Sequence, residues 1–384
     1  MRIGFNAQRL AGQPLGVGRY IEYMLRYWSG MLAASDTVEL FLRRPLSAPA
    51  TEDLIRSPAI HPRVLGPDMP GVLWENLRLR GPASRLDVLF CPAYSAPVGY
   101  RGRLVVATHS VNEIQGTAHG WWYQQRYARL YRHSARLADA VIVPAETTKR
   151  DLMGLYGVPD ERIAVVPQGA DDCFRPMGDA AAVKAVRQRF FGGDRPFVLF
   201  VGKCSPRRNI PLLLRAFARL RHEGRFPHGL LLFGPNTADL PLGSLCQELG
   251  IFGDVVHTDG HVAHHSELVP IYNAADVFVH PSEFEGWSMT TIEAMACGTA
   301  VVAANRGGLG EVARGHALMV DDPTADSLAE AIGRVLGDER LRKDLGQRAR
   351  KRGKALHWRE TTGLTLEVVR RVGAGHHRSK GSAE

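Results

Sequence analysis

The apolar positions of the chain fall into short β-branched runs that alternate with stretches of helical spacing. The runs RIGFNA, VELFLR, DVLFC and RLVVA lie in the first half, and FVLFV, LLLF, VVHT and VFVH continue the pattern in the second half. Such alternation is typical of parallel sheets that are covered by helices on both faces. The pattern therefore predicts an α/β fold.

A segment rich in Gly, Pro and Asp interrupts this alternation between Asp172 and Asp194. It surrounds one helical stretch, AAVKAVRQRFF, and has the composition of a linker that leads into a second domain. A chain of 384 residues also exceeds what one hydrophobic core usually serves. We therefore predict a first Rossmann-like domain at residues 1–175, a second at 176–356, and a disordered tail at 373–384.

Composition and charge narrow the classes of partner. The net charge of +9 and a pI near 9.5 favour polyanions such as nucleoside diphosphates or anionic lipid headgroups. No zinc-finger, helix-turn-helix or RNA-recognition pattern accompanies the charge, so no nucleic-acid partner is expected. The five scattered cysteines contain no C-x-x-C pair, and MRIGFNAQRL does not resemble a signal peptide. We expect reduced thiols and a cytoplasmic location, with peripheral contact to the inner face of the membrane as an alternative.

The segment SEFEGWSMTTIEAMACG, residues 282–298, follows an apolar strand and is predicted to end in a short helix. Thr290 or Thr291 is the expected N-cap, and Gly298 is the expected stop. Glu285 lies in the loop and Glu293 in the first turns of the helix. Carboxylates accept hydrogen bonds from sugar hydroxyls, although Glu285 alone also fits a solvated loop and Glu293 alone fits dipole stabilisation.

Three further positions carry candidate chemistry. The loop KCSPRRN holds Lys203, Arg207 and Arg208, whose charges match a diphosphate, although basic loops are often only solvated. His109 ends the strand RLVVATHS, where open α/β sheets place ligands, or it is an ordinary core imidazole. Gly16 and Gly18 open the helix RYIEYMLRYW in the manner of a phosphate-binding turn or of a plain tight turn.

These segments together resemble the retaining glycosyltransferases of family 4, which have the GT-B fold. EGWSMTTIEAMACG resembles their E-x7-E segment, and VGKCSPRRN resembles V-G-x-x-x-P-R-K-N, with Arg208 where Lys is common. The turn GVGRY, the strand that ends in His109 and the run DGHVAHHSELVPIYNAAD also match. The family has Asp where this chain has Ser110, and G-F-G-L-P where it has GWSMT. The final stretch WRETTGLTLEVVRRV matches the family's last helix, which implies that residues 357–372 return to the first domain.

The resemblance implies a role for each matched residue. His109 and Glu285 would be the catalytic pair, with His109 near the reacting carbon and Glu285 on the sugar hydroxyls. The first domain would bind the acceptor and the second the nucleotide-sugar donor. The donor-binding positions would be Gly16, Gly18, Lys203, Arg208, Val262, Trp287, Ser288, Met289, Thr290 and Glu293.

The resemblance further implies transfer of a hexose with retention of configuration, by same-face attack. No D-x-D triplet is present, and His261, His264 and His265 lack acidic partners, so we expect no metal and no cofactor. GDP-mannose is the favoured donor, with UDP-hexoses close behind. The acceptor is expected to be a glycan, a lipid-linked species or a small molecule, as in polysaccharide biosynthesis.

Alternative functions are weighed against this prediction. A GT-B epimerase and a non-catalytic nucleotide-sugar binding protein stay open, whereas a glycogen-type phosphorylase would need a cofactor lysine that cannot be placed. A Rossmann dehydrogenase is disfavoured because no G-x-G-x-x-G follows a strand.

The predicted helix 121–137 is strongly basic. Arg126, Arg129, Arg132 and Arg136 recur at helical spacing, which predicts either a membrane-surface stripe or a solvated outer face.

Overall fold

The computed structural model describes residues 1–10, 16–46, 57–111, 121–260, 262 and 264–375, with side chains omitted at 121–125. The chain divides into two compact units. The first contains the described residues from Met1 to Pro167 and from Trp358 onward, and the second runs from Gln168 to His357. The predicted tail at 373–384 lies outside the described residues from 376 onward.

The first unit is built on a seven-stranded parallel sheet. Its strands are β1 (Arg2–Asn6), β2 (Thr37–Leu42), β3 (Ile60–Val64), β4 (Val88–Cys91), β5 (Leu104–Ala107), β6 (Ala140–Val143) and β7 (Ile163–Val165). The order is β3-β2-β1-β4-β5-β6-β7. The chain first adds strands on one side of β1 and then on the other, so the switch point lies between β1 and β4.

Helices cover this sheet. They are α1 (Val17–Trp28), α2 (Gly71–Trp74), a π-helical turn at Glu75–Leu79, α3 (Arg80–Ala83), α4 (Trp121–Leu137), α5 (Glu146–Asp151) and a second π-helical turn at Leu152–Tyr156. Every residue of β4 and β5 is buried, which explains their continuous apolar sequence.

The second unit contains a six-stranded parallel sheet. Its strands are β8 (Phe197–Val201), β9 (Gly229–Phe233), β10 (Val255–Thr258), β11 (Val277–His280), β12 (Val301–Ala304) and β13 (Leu318–Val320). The order β10-β9-β8-β11-β12-β13 places the switch point between β8 and β11. The loops that follow β8 and β11 therefore lie side by side.

The helices of the second unit are α6 (Ala180–Phe191), α7 (Ile210–His222), α8 (Leu242–Glu248), α9 (Leu268–Ala274), α10 (Met289–Ala296), α11 (Gly307–Ala313), α12 (Ala325–Gly337) and α13 (Glu339–Ala355). Short 3-10 turns occur in the second unit at Pro206–Arg208, Phe252–Asp254 and His265–Glu267, and in the first unit at Gln8–Leu10 and Asp160–Arg162. The linker helix begins where expected, because Asp179 accepts hydrogen bonds from two backbone N–H groups of its first turn.

The last helix, α14 (Trp358–Gly373), belongs to the first unit. Trp358 stacks on Tyr23 with ring centroids 4.5 Å apart, and Trp28 Nε1 donates to the Thr362 carbonyl at 2.9 Å. These buried aromatic contacts attach the carboxyl-terminal helix to α1 of the first unit.

The division between the units differs from the predicted one. Residues 168–175 belong to the second unit, where the sequence placed them in the first. The physical reason is backbone pairing: Ala170 forms a β-bridge with His357, and its N–H donates to the Leu356 carbonyl at 2.9 Å. Periodicity within 168–175 carries no sign of this distant pairing.

Candidate functional site

The principal polar cluster of the second unit lies at the switch point between β8 and β11. The loop after β8 carries Arg207 and Arg208 in a 3-10 turn, and the loop after β11 carries Glu285. Gly202 directly follows β8 and has a φ of 144°, and a Cβ there would lie 2.6 Å from Arg208 Nη1. A glycine at this position therefore leaves room for the arginine to fold back over the strand end.

Two guanidinium groups hold the Glu285 carboxylate. Arg208 Nε lies 2.9 Å from Oε1, and Arg207 Nη1 lies 2.9 Å from Oε2. Glu285 is only 6% exposed, so it is not the solvated loop residue of the simplest interpretation. Burial alone would raise its pKa, but the charges of Arg208 and Arg207 outweigh burial and lower the pKa of this carboxyl below its usual value.

His280, the last residue of β11, completes the cluster. Its Nε2 lies 3.4 Å from Arg208 Nη1, and its Nδ1 lies 3.3 Å from Ser282 Oγ. An arginine can only donate, so the hydrogen-bond pattern assigns the ring proton to Nδ1. Ser282 Oγ then donates to Glu285 Oε1 at 3.3 Å. Burial and the positive charge of Arg208 lower the pKa of His280 to about 3, so it is neutral at physiological pH.

Lys203 adds a third cation to this loop. Partial burial and the charges of Arg208 and Arg207 lower the pKa of its ammonium group. Burial likewise lowers the pKa of Arg208, although a guanidinium keeps its charge at any physiological pH. The loop after β8 thus concentrates positive charge against one carboxylate.

The amino-terminal end of α10 supplies backbone donors. Ser288 is its N-cap, because Ser288 Oγ accepts from the Thr291 N–H at 3.3 Å. The predicted cap at Thr290 or Thr291 is therefore wrong: the helix begins one residue before Thr290, and the extended φ and ψ of Ser288 give it the N-cap conformation. The N–H groups of Met289 and Thr290, in the first turn, have no acceptor within the helix.

Hydrogen bonds from two directions hold the loop between β11 and α10. Trp287 Nε1 donates to the Gln168 carbonyl at 3.0 Å, and the Gly308 N–H donates to the Glu285 carbonyl at 2.7 Å. A Cβ on Gly308 would lie 2.0 Å from the Gly286 carbonyl oxygen, so only glycine allows the start of α11 to approach this closely. The loop after β11 is therefore fixed from both sides.

The hydrogen-bond partner of Glu293 lies outside the arginine cluster. It is 1% exposed, and its Oε2 accepts from the Tyr272 hydroxyl at 2.9 Å. Tyr272 belongs to α9 and is itself fully buried. The two glutamates of the E-x7-E segment thus have different partners, Arg207 and Arg208 for Glu285 and Tyr272 for Glu293.

Val262 lies in the segment between β10 and α9 and is half-buried. His261 is outside the described residues, whereas His264 and His265 are described. Among the described residues no group of three or more His, Cys, Asp or Glu side chains has the arrangement of a metal site.

In the first unit, His109 lies two residues beyond β5. Its Nε2 donates to the Pro92 carbonyl at 2.8 Å, since a carbonyl can only accept. Tyr20 and Tyr94 contact the imidazole edge-on, with centroid distances of 4.7 and 5.4 Å. Gly16, at a φ of 55°, is the N-cap of α1. Gly18 is buried in the first turn of α1, the helix that also carries Tyr20.

Because His109 is buried, we expect the stability of the folded protein to decrease in acid. Burial lowers the pKa of His109 to about 4, against the opposing hydrogen bond to Pro92. The unfolded chain binds this proton near pH 6.5 and the folded chain only near 4, so stability should fall as the pH falls through that window. At about 1.4 kcal/mol per pKa unit, the loss is about 3 kcal/mol.

Denaturant unfolding between pH 4 and 7 tests this, with the uncharged variant His109→Gln as the comparison. The variant should lose less stability in acid than the parent, whereas His61→Gln, at an exposed position of β3, should match the parent. Equal acid sensitivity in the parent and in His109→Gln would contradict the assignment.

The basic helix α4 presents its arginines outward. Arg126, Arg129, Arg132 and Arg136 are all exposed, while Tyr131 and Ala135 are buried. Arg136 Nε donates to the Tyr156 carbonyl, and the Arg132 guanidinium lies 5.9 Å from the centre of the Tyr156 ring. A membrane-surface stripe and a solvated face both fit this exposure, so membrane contact stays a prediction. No helix in the described part of the chain has the length and apolarity needed to cross a bilayer.

Comparison with solved structures identifies the fold. Sucrose-phosphate synthase from Thermosynechococcus elongatus superposes with a TM-score of 0.78 at 23% identity, over 97% of this chain and 99% of that one. Anabaena HepE in complex with UDP-glucose gives 0.77 at 18% identity, over 97% of this chain and all of that one. The predicted class is confirmed: this chain has the GT-B fold, with two parallel-sheet α/β domains.

Family models then identify the family. The model of Glycosyltransferase Family 4 matches residues 15–173, and the model of Glycosyl transferases group 1 matches residues 184–352. The chain belongs to glycosyltransferase family 4, as its motifs predicted.

Curated relatives are also glycosyltransferases by name, although the alignments cover a smaller part of each chain. The D-inositol 3-phosphate glycosyltransferase of Kineococcus radiotolerans is 34% identical over 61% of this chain and 58% of its own length. The MMP alpha-(1->4)-mannosyltransferase of Mycolicibacterium hassiacum is 29% identical over 68% of this chain and 62% of its own length. This chain thus spans little more than half the length of the curated relatives that it matches.

Sequence reasoning missed part of the cluster. It named Arg207, Arg208 and Glu285, which the structure brings together, but not His280 or Ser282. The position of His280 at the carboxyl end of a strand next to the switch point was the available signal, the same one that identified His109.

Proposed function

We propose that the protein is a retaining glycosyltransferase that moves a hexose from a nucleoside diphosphate sugar to a hydroxyl group of an acceptor. The observation that carries the proposal is the pairing of Arg207 and Arg208 with the buried Glu285 at the switch point of the second unit. Two guanidinium groups against one carboxylate leave a net positive charge. That charge suits a diphosphate, and the carboxylate beside it suits sugar hydroxyls.

Each group has a distinct role in the proposed reaction. Arg208 and the N–H groups of Met289 and Thr290 would stabilise the negative charge that develops on the leaving diphosphate. Lys203 would add charge at the same place, and Glu285 would orient the sugar. Three further residues have proposed roles: Glu293 would bind the ribose, Val262 the base, and His109 the sugar near its reacting carbon.

Retention follows from same-face attack. The bond between the anomeric carbon and the diphosphate oxygen breaks, and the acceptor oxygen bonds to the same face of that carbon. The acceptor's proton passes to the leaving diphosphate, so no protein nucleophile is consumed. His109, with a pKa of about 4, is neutral at physiological pH and would act as a hydrogen-bonding group there. The arginines would take the place of a metal, so the proposed transfer is metal-independent.

GDP-mannose is the proposed donor, and UDP-hexoses are the second choice. The names of the relatives support a hexose, since one is a mannosyltransferase and HepE was solved with UDP-glucose. The relatives named as inositol phosphate glycosyltransferases make a small phosphorylated acceptor one candidate, beside glycans and lipid-linked species.

A thermal-shift panel of GDP, UDP, ADP and dTDP sugars tests the donor. A ligand at one hundred times its dissociation constant stabilises the folded state by roughly 2.7 kcal/mol, so the correct donor should raise the melting temperature by several degrees. Incubation of that donor alone should then release free sugar and nucleoside diphosphate slowly, by transfer to water. Epimerised sugar would point instead to an epimerase, and stabilisation without any turnover would point to a binding protein.

A further inference from the structure

Glu75 is a fully buried carboxylic acid in the first unit, at the switch point of its sheet. It begins the π-helical turn Glu75–Leu79, which interrupts the helical stretch between α2 and α3. π-Helical turns are rare and occur often at functional sites. Glu75 lies outside the motifs on which the resemblance to the family rests.

Three side chains converge on one oxygen of Glu75. Asn6 Nδ2 donates to Oε1 at 2.8 Å, Gln8 Nε2 at 2.6 Å and Ser95 Oγ at 2.9 Å. Asn6 is the last residue of β1, and Ser95 lies in the loop that follows β4. Glu75 therefore ties together the two strand ends that flank the switch point. Its other oxygen, Oε2, is buried and has no hydrogen-bond partner in the described part of the chain.

The loop that Ser95 anchors also carries the contacts of His109. The Pro92 carbonyl accepts from His109 Nε2, and the Tyr94 ring lies against the imidazole. Tyr94 has a φ of 69°, a conformation that aromatic residues rarely adopt and that surrounding structure must enforce. Its N–H donates to the Ala107 carbonyl at 3.0 Å, and its ring stacks on Tyr131 at 5.1 Å.

Keeping a carboxyl group at this place opposes folding. Burial raises the pKa of Glu75 to about 7, although the hydrogen bonds from Ser95 and Asn6 and the charge of Arg9 act against that rise. Burial and the Glu75 charge together raise the pKa of the neighbouring Cys91 thiol. A buried acid that costs stability at a sheet switch point is a candidate for a functional role. The contacts of Ser95 indicate what that role is.

We propose that Glu75 is a positioning residue: through Ser95 it fixes the loop Pro92–Ser95 and thereby the tautomer and orientation of His109. The consequence for sugar transfer rests on the proposed function, whereas the effect on His109 does not. Without the Glu75 to Ser95 hydrogen bond, the strained Tyr94 turn relaxes. The His109 ring then loses its fixed acceptor at Pro92 and becomes more accessible to water.

Three variants of the full chain test this inference. Glu75→Leu keeps a side chain of similar length and removes the acceptor of the Ser95 hydroxyl, Ser95→Ala removes only the donor, and the double variant tests whether both act through one contact. Asp139→Asn is the matched control. Asp139 Oδ2 accepts from the Leu104 N–H at 2.8 Å at the amino-terminal ends of β5 and β6, whereas Glu75 lies at the carboxyl ends of the strands. The measurement is the imidazole nitrogen NMR spectrum of isotope-labelled histidine, with His109→Gln to assign the resonance.

The parent should show His109 protonated on Nε2 with a pKa near 4. In Glu75→Leu and in Ser95→Ala we expect that pKa to rise by about one unit and the second tautomer to appear, because the decrease in desolvation outweighs the lost hydrogen bond to Pro92. The double variant should not exceed the larger single effect, because the two residues act through a shared contact. An unchanged His109 in Ser95→Ala, or an equal change in Asp139→Asn, would overturn the proposal. If Glu75→Leu does not fold, Ser95→Ala alone decides the outcome.

The second measurement is enzymatic activity, followed as the release of GDP from GDP-mannose in the absence of an acceptor. Glu75→Leu and Ser95→Ala should lower kcat about tenfold, because a misplaced His109 loses part of its orientation, while the thermal shift given by GDP-mannose stays that of the parent. A parent protein that releases no GDP would count against the proposed function alone, because the spectrum of His109 is read without any donor.

Discussion

Glu285→Ala should lower the rate of sugar transfer by a factor of about one hundred or more, the loss typical when a preorganised group in an active site is removed. The carboxylate is buried and held by Arg207 and Arg208, so its position does not depend on substrate. Removing it takes away the group proposed to orient the sugar hydroxyls. The measurement is donor turnover under saturating GDP-mannose, or under the donor that the thermal-shift panel selects.

The same substitution should also destabilise the second unit. Two half-buried guanidinium groups would lose their counter-ion, and the about 3–5 kcal/mol that breaking a fully buried pair costs is the upper bound of the loss. Glu285→Gln therefore accompanies it, because an amide keeps the volume and one acceptor and separates lost chemistry from lost folding. Glu283→Ala, at an exposed position in the same loop, is the matched control and should keep the parent's activity. Undiminished transfer in a folded Glu285→Ala protein would remove the central role assigned to this residue.

Arg208→Ala should weaken donor binding by a factor of about ten to one hundred, since hydrogen bonds to charged groups contribute about 1.5–3 kcal/mol each. Arg208 contacts both Glu285 and His280, so its loss leaves a buried carboxylate with Arg207 alone. The thermal shift produced by the nucleoside diphosphate without its sugar is the direct measurement. It isolates the phosphate contact from contacts to the hexose.

Arg208→Lys is the informative companion, because lysine is common at this position in the family. It keeps the charge but cannot bind phosphate in bidentate fashion, so we expect binding between that of the parent and that of Arg208→Ala. Arg215→Ala, at an exposed site on α7, is the control for general loss of positive charge. If Arg208→Ala bound the nucleotide as tightly as the parent, Arg208 would not be the diphosphate clamp.

Periodicity was sufficient for the architecture because parallel strands buried on both faces leave continuous apolar runs in the sequence. The runs around β4, β5, β8 and β11 were all recognisable. Local spacing was less informative at helix starts: Ser288, not Thr290 or Thr291, caps α10. Side-chain chemistry allows all three to cap, and only the backbone angles at Ser288 decide between them.

The sequence by itself determined the fold class, the family and the residue types at the ends of β8 and β11, because these depend on burial patterns and on short motifs. Only the tertiary structure decided which groups meet: Arg208 with Glu285 and His280, Glu293 with Tyr272, and Glu75 with Ser95. The members of each pair are about 20 or more residues apart along the chain, and they meet through the order of the strands and the packing of helices on the sheets. Strand order is set by the packing of the whole core, and no local pattern of residues encodes it.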